Sequence, residues 1–194
     1  MKRFALICTA LLLANISFGQ ISEGQIGIGG DAGFASSSDF DDDNVRTVLF
    51  SPTVSFAVMD NILLDATIGI VFQKEESGNS DIITNQLTLG VGAKKLYYVS
   101  PKTAFFVGGV GSAGIVKVKT TWFQEEQKAE MGLVQLGING GIYWFASEFF
   151  SIHTTVGLVT GSLLYNKDYD ATQTQVEFGG IGNIFGNAGF TYWF

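Results

Sequence analysis

Apolar and small polar side chains alternate along most of this chain, and this pattern constrains the fold more than any other feature. Between Val48 and Val58 the even positions are apolar, whereas most odd positions carry Ser, Thr or Ala. Successive side chains of a β-strand point to opposite faces, so a period of two predicts strands with one apolar and one polar face. The pattern recurs at 62–73, 86–94, 134–144 and 150–158. It is less regular at 103–116, where glycines occupy both faces.

Strands of this kind fill the chain after its first twenty residues, and no segment shows a helical period. The predicted strands are 24–36, 47–59, 62–73, 82–98, 103–117, 129–145, 149–164 and 173–194. We therefore predict an all-β fold, an eight-stranded antiparallel up-and-down barrel, formed as one domain by residues 20–194.

The connections between these strands alternate in length. Tight turns are predicted at 60–61, 100–102 and 146–148, and longer charged loops at 37–46, 74–81, 118–128 and 165–172. Short turns at one end and long loops at the other are expected of a barrel in a bacterial outer membrane. With an even strand count, both ends of the chain would lie on the periplasmic side, with the short turns.

The two faces of the strands differ in bulk as well as polarity. One face is almost wholly Val, Ile, Leu and Phe, and the other is mainly Gly, Ser, Thr, Asn and Gln. An eight-stranded barrel has an interior just wide enough for side chains, which suits the small polar face. The bulky apolar face would then meet hydrocarbon, so we predict a transmembrane barrel rather than a soluble secreted one.

Aromatic residues cluster beside the short turns and at the C-terminus. They are Tyr97, Tyr98, Phe105, Phe106, Tyr143, Trp144, Phe145, Phe149, Phe150, Tyr192, Trp193 and Phe194. Tyr and Trp collect where a membrane meets water, so we predict that these residues form one belt at one membrane interface.

Residues 1–19 have the pattern of a cleaved signal peptide. Lys2 and Arg3 precede an apolar run that ends at Ala14, and Ser17 and Gly19 occupy the small-residue positions before a cleavage site. The run is too short to span a membrane, and no later stretch reaches the ~18 apolar residues of a transmembrane helix. These observations predict export across the inner membrane and exclude a helical membrane protein.

The composition excludes several functions. The chain has a formal net charge of -7 and no basic stripe, so nucleic acid is not an expected partner. Its one cysteine, Cys8, lies within the predicted signal peptide, which leaves the mature chain without a disulfide or thiolate metal site.

The last eight residues match the C-terminal pattern of outer-membrane barrels, with Asn187, Gly189, Tyr192 and Phe194 at the defining positions. With the alternating strands, residues 20–194 resemble the small outer-membrane β-barrel family of the OmpA/OmpX type. The resemblance implies that the barrel-assembly machinery recognises the last strand. It also implies no cofactor and no common reaction. Because the chain ends at the barrel, we expect no peptidoglycan-binding domain of the kind that some family members append.

Several polar and charged residues fall on the predicted inner faces. They are Asp31, Asp65, Gln86, Lys94, Gln135, Asn139, His153 and Glu177. Buried charges must be paired or hydrogen-bonded, so we predict one polar network in the lumen. Packing of the lumen is the preferred interpretation, and a gated ion path is the alternative.

Three other patterns are weighed for chemistry. His153, the only histidine, is interpreted as hydrogen-bonded in the lumen rather than as a catalytic base, because partners are scarce. A G-x-G-x-x-G match at 109–114 is followed by a strand, whereas a nucleotide site needs a helix there. The acidic residues of 39–43 do not fit an EF-hand, although they could bind divalent cations loosely or an extracellular ligand.

Three functions remain. The first is a non-enzymatic outer-membrane barrel with a structural or surface-interaction role, in contact with outer-membrane lipid. The second is a narrow, porin-like channel for ions or small solutes, which a filled lumen disfavours. The third is a lipid-modifying enzyme, which lacks a nucleophile and base at the outer rim. No catalytic, cofactor or metal site is predicted.

Overall fold

The computed structural model describes residues 20–38, 44–78, 80–122, 125–166, 171–178 and 187–194, which form nine β-strands. The strands are β1 Ile26–Ser38, β2 Asn44–Met59, β3 Ile62–Ser77, β4 Ser80–Ser100, β5 Thr103–Trp122, β6 Glu125–Ser147, β7 Phe150–Asn166, β8 Ala171–Phe178 and β9 Asn187–Trp193. No helix in these ranges is long and apolar enough to cross a membrane. The predicted signal peptide, 1–19, lies outside them.

The strands close into a ring with eight positions. Neighbours from β1 to β7 pair in chain order, and all pairs are antiparallel. The ring closes where β9 pairs with β7 on one side and β1 on the other, from Gly27–Trp193 to Ala32–Ala188. The predicted eight-stranded up-and-down barrel is confirmed. We call the contact among β1, β9 and β7 the seam.

The eighth position of the ring corrects the predicted strand 173–194. Two strands, β8 and β9, share this position against β7. Phe178 of β8 pairs with Val159, and Asn187 of β9 pairs with Thr155. Only three residues of β7 lie between Val159 and Thr155, whereas Phe178 and Asn187 are nine positions apart in the chain. One regular strand cannot span that register.

The predicted long loops are also wrong in part, because the strands continue through most of them. β3 and β4 extend to Ser77 and Ser80, and β5 and β6 extend to Trp122 and Glu125. Polar side chains are compatible with a backbone ladder, and cross-strand charge pairs such as Lys119–Glu126 add stability. The long-loop end of the barrel therefore carries extended β-hairpins.

The alternation of faces agrees with the prediction. Outward-facing apolar side chains are widely exposed, with Phe50 at 53%, Leu136 at 69% and Val91 at 70%. Inward-facing Ser55 and Thr88 are buried. The bulky face of the sheet therefore covers the outside of the ring, and the small polar face lines the lumen.

The predicted aromatic belt is wrong for five of its twelve members. Tyr98, Phe106, Tyr143, Phe145 and Trp193 point inward, because side-chain direction alternates even within an aromatic cluster. We call the packed inner group the plug. It comprises Ile21, Ala57, Leu63, Leu96, Ala104, Phe106, Tyr143, Phe145 and Trp193, with Tyr98 packed against it. The outward-facing members are Tyr97, Phe105, Trp144, Phe149, Tyr192 and Phe194.

Candidate functional site

The lumen has three layers, which follow from where polar and apolar residues fall on the inward faces. The plug fills the short-turn end, where Tyr143 stacks on Phe145 at 5.8 Å and meets Phe106 edge-on at 5.4 Å. Charged residues occupy the middle. A polar cavity of about 250 Å³ lies beside the charged layer and extends along the polar inner faces. The charged layer and this cavity are the candidate functional site.

Lys94 is the centre of the charged layer. Its Nζ lies 2.9 Å from Asp65 Oδ2 and donates a 2.6 Å hydrogen bond to the hydroxyl of Tyr143. The opposite oxygen of Asp65 accepts a 2.6 Å hydrogen bond from Ser55 Oγ. The ammonium also lies 5.6 Å from the ring centre of Phe106 in the plug. Both charges of this buried pair are therefore satisfied, as burial of an ion pair requires.

Asp31 and His153 form a second pair, which crosses the seam. Asp31 lies on β1 and His153 on β7, and Gly189 of β9 is the register partner of both. His153 Nε2 is 3.1 Å from Asp31 Oδ1, to which Thr155 Oγ1 also donates at 3.4 Å. We call Asp31 and His153 the seam pair.

Gly189 makes the seam pair possible. A β-carbon at this position would lie 2.8 Å from Asp31 Oδ1 and 2.5 Å from the backbone oxygen of Gly30, and it would overlap His153 Nε2. Real β-carbons essentially never approach other atoms within 3.0 Å. Gly189 therefore has a steric role in ring closure, in addition to its place in the C-terminal pattern.

The other residues of that pattern are divided between the two faces. Asn187 lines the lumen cavity. Tyr192 and Phe194 point outward, with their rings 4.8 Å apart and Tyr192 also 6.4 Å from Phe149. Trp193, between them, points inward and donates a 2.9 Å hydrogen bond from Nε1 to Ser151 Oγ.

The remaining predicted lumen residues lie around the cavity and not in one network. Gln135 Oε1 is 3.5 Å from both Gln86 Nε2 and Ser112 Oγ. Asn139 lines the same cavity. The structure describes the backbone of Glu177, which pairs with Thr160, but not its side chain. The predicted single network is thus seen as an Asp65–Lys94 cluster, the seam pair and a separate group of amides.

Three partners in this site were missed from the sequence: Tyr143, Ser55 and Thr155. The signal for Tyr143 was available, because it continues the inward alternation of Asn139 and Gly141. The prediction of an aromatic belt instead places Tyr143 on the outward face. Ser55 and Thr155 were on the polar faces, but their pairing depends on cross-strand register.

The chemistry open to His153 is narrow. Its Nε2 is occupied by Asp31, and its buried Nδ1 has no hydrogen-bond partner among the described atoms. A His–Asp pair in catalysis needs a nucleophile on the second nitrogen. The described residues also hold no group of three or more His, Cys, Asp or Glu side chains suited to a metal ion. The acidic residues 39–43 lie outside the described ranges.

The projecting β5–β6 hairpin has a charged outer face. Lys117 pairs with Glu130 at 3.3 Å, and Lys119 and Lys128 each approach Glu126 at 2.7 Å. Hydrogen bonds from Lys119 and Lys128 lower the pKa of Glu126 to about 2. This carboxylate therefore keeps its charge and its two partners until the pH falls towards that value.

Comparison with known proteins gives fold neighbours alone. No family model matches the chain, and no curated protein matches its sequence. Among solved structures, the N-terminal β-barrel domain of Pseudomonas aeruginosa OprF covers 90% of this chain and 100% of its own, with 12% identity and a TM-score of 0.45. Ail, the attachment invasion locus protein of Yersinia pestis, covers 89% and 99%, with 14% identity and a TM-score of 0.47.

The translocator domain of the autotransporter NalP from Neisseria meningitidis is a third neighbour. It matches 99% of this chain and 68% of its own length, with 15% identity and a TM-score of 0.47. At these identities and scores, no function is transferred from these proteins to this chain.

Proposed function

We propose that this chain is an integral outer-membrane barrel protein with a structural or surface-interaction role. The observation that carries the proposal is the outward-facing band of Val, Ile, Leu and Phe around a ring whose lumen is polar and charged. In water such an exposed apolar band would drive aggregation, whereas in a bilayer it meets hydrocarbon. In a closed ring every strand has a neighbour on both sides, so its backbone N–H and C=O groups can all be hydrogen-bonded, as hydrocarbon requires.

The length of the strands supports a role at the cell surface. β4 has 21 residues and β6 has 23, whereas about 9–11 residues span a bilayer. About half of each strand therefore projects beyond the apolar band. The projecting part carries the charge pairs of the β5–β6 hairpin. A rigid, charged hairpin held above the membrane is suited to contact with surface molecules.

Fractionation of cells and heat-modifiable gel mobility test the proposal together. We expect the protein in the outer-membrane fraction, and we expect unheated samples to migrate differently from boiled ones because a closed barrel resists detergent. Recovery in a soluble fraction, or identical mobility with and without heating, would contradict the proposal.

The plug disfavours the channel alternative and leads to a prediction. Aromatic and aliphatic side chains fill the lumen at the short-turn end, and Tyr143, Phe145 and Trp193 are almost completely buried. We expect the wild-type protein to show no steady openings in planar bilayers. Truncating two plug residues, as in the double variant Phe106→Ala and Phe145→Ala, is expected to raise the conductance. Large, stable wild-type openings would favour the channel instead.

We also propose that the protein is not an enzyme. The seam pair is the only His–Asp arrangement in the described residues, and its free nitrogen has no nucleophile beside it. Lys94 and Asp65 are committed to each other and to Tyr143 and Ser55. These contacts indicate that the charged side chains of the lumen stabilise the barrel by binding one another.

A further inference from the structure

The lipid-facing surface of β5 contains a groove that the barrel itself does not fill. Gly109, Gly111 and Ala113 follow one another on the outward face of β5. Their cross-strand partners are Leu89, Val91 and Ala93 on β4 and Val134, Leu136 and Ile138 on β6. The described surface has a depression of about 700 Å³ here, which adjoins a second of about 470 Å³.

The walls of the groove stand out from the surface. Val91 and Leu136 expose 70% and 69% of their areas, more than most outward apolar residues of the barrel. They face each other across Gly111, with β4 and β6 separated by about 10 Å, or two strand spacings. At Gly109, an added β-carbon would meet no atom closer than 3.9 Å, so the floor is open there; over Gly111 the Cδ2 methyl of Leu136 comes within 3.2 Å of that position and forms part of the wall. The groove therefore has the shape of a channel for one hydrocarbon chain.

One cation lies at the short-turn end of this groove. Lys95 lines the second depression beside Val107 and Gly109. Its Nζ lies 5.4 Å from the ring centre of Tyr97, a member of the outward aromatic group. Among the described residues, Lys95 is the one charged side chain on the outward face between that aromatic group and the charged residues of the long-loop end, and it takes part in none of the ion pairs with described acids. A lysine in this position extends its ammonium towards the headgroup layer, where phosphates lie.

We propose that this groove binds a phospholipid of the periplasmic leaflet. One acyl chain lies over Gly109 and along the side chains of Val91 and Leu136, and the phosphate pairs with Lys95. A second copy of the chain fits less well, because it would bury Lys95 at an apolar contact without an acid to pair with it. The inference rests on the proposed membrane location.

Native mass spectrometry of the purified, folded barrel with added phosphatidylglycerol tests this inference. Heat-modifiable mobility of each sample first establishes that the barrel is intact, so a failure of the proposed function is seen separately. We expect a lipid-bound species for the wild type. The variant Lys95→Gln should bind about fivefold more weakly, as expected for one basic residue at a membrane surface. Gly109→Leu should lose the species, because leucine fills the groove.

Two matched controls and a second lipid complete the experiment. Ala32→Leu places the same bulk on the outward face of β1, and Lys117→Gln removes a cation from the charged hairpin; both should bind like the wild type. Diacylglycerol lacks the phosphate. Its binding should therefore be lost in the variant Gly109→Leu but unchanged in the variant Lys95→Gln. Equal binding by all variants, no wild-type lipid species, or a dimer that Gly109→Leu dissociates would each overturn the inference.

Discussion

Replacement of Gly189 by alanine is expected to prevent closure of the barrel. The added methyl would lie 2.5 Å from the backbone oxygen of Gly30 and would overlap His153 of the seam pair. β9 must then move away from β1, with which it forms the only described closure of the ring. Breaking the seam pair lowers the free energy of unfolding by about a further 3–5 kcal/mol when one buried charge is left without its partner. We expect the heat-modifiable form to fall to a small fraction of the wild-type amount after refolding into vesicles.

The controls for Gly189→Ala separate steric from electrostatic causes. Gly161→Ala on β7 adds the same methyl where the nearest atom is 3.9 Å away, and it should fold normally. The double variant Gly189→Ala and His153→Ala removes the imidazole but keeps the clash with Gly30, so it should not recover closure. Normal folding of Gly189→Ala would show that the glycine has no steric role at the seam.

Replacement of Lys94 by methionine is expected to destabilise the folded barrel by about 3–5 kcal/mol. The change keeps the length of the side chain but leaves the Asp65 carboxylate buried with Ser55 as its described hydrogen-bond donor. It also removes the 2.6 Å hydrogen bond to Tyr143. Urea unfolding in lipid vesicles, followed by tryptophan fluorescence, measures the change in the free energy of unfolding.

A double-mutant cycle identifies the cause of this loss. Lys94→Met combined with Asp65→Leu removes both charges, so most of the stability should return, as found when buried ion pairs are replaced by apolar residues. Tyr143→Phe, which removes one hydrogen bond to a charged group, should cost about 1.5–3 kcal/mol. Additive losses from the Lys94 and Asp65 variants would contradict a direct pairing in the membrane-embedded lumen.

The fold could be predicted from the sequence because its main determinant is local. Alternation along each strand fixes which side chains share a face, and it correctly separated Val54 and Leu136 from Ser55 and Gln135. The same rule also directs Tyr143 and Trp193 into the lumen, where the structure has them, whereas their chemistry alone predicts a membrane belt.

The pairings within the lumen could not be predicted, because they depend on register between strands. Nothing local in β1 or β7 indicates that Asp31 and His153 meet over Gly189. The division of the last strand into β8 and β9 likewise depends on which residues of β7 they face. The hairpin extensions were missed because charged residues were interpreted as loop, whereas cross-strand pairing with opposite charges keeps them in the ladder.

A nitroxide scan of residues 133–138 on β6 in lipid vesicles tests the central claim most directly. The predicted mature chain contains no cysteine, so each label can be introduced singly. We predict that labels at Val134, Leu136 and Ile138 are accessible to oxygen dissolved in hydrocarbon, and that labels at Leu133, Gln135 and Gly137 are shielded from it. High oxygen accessibility at the odd positions, or no alternation at all, would contradict a barrel whose apolar face meets lipid.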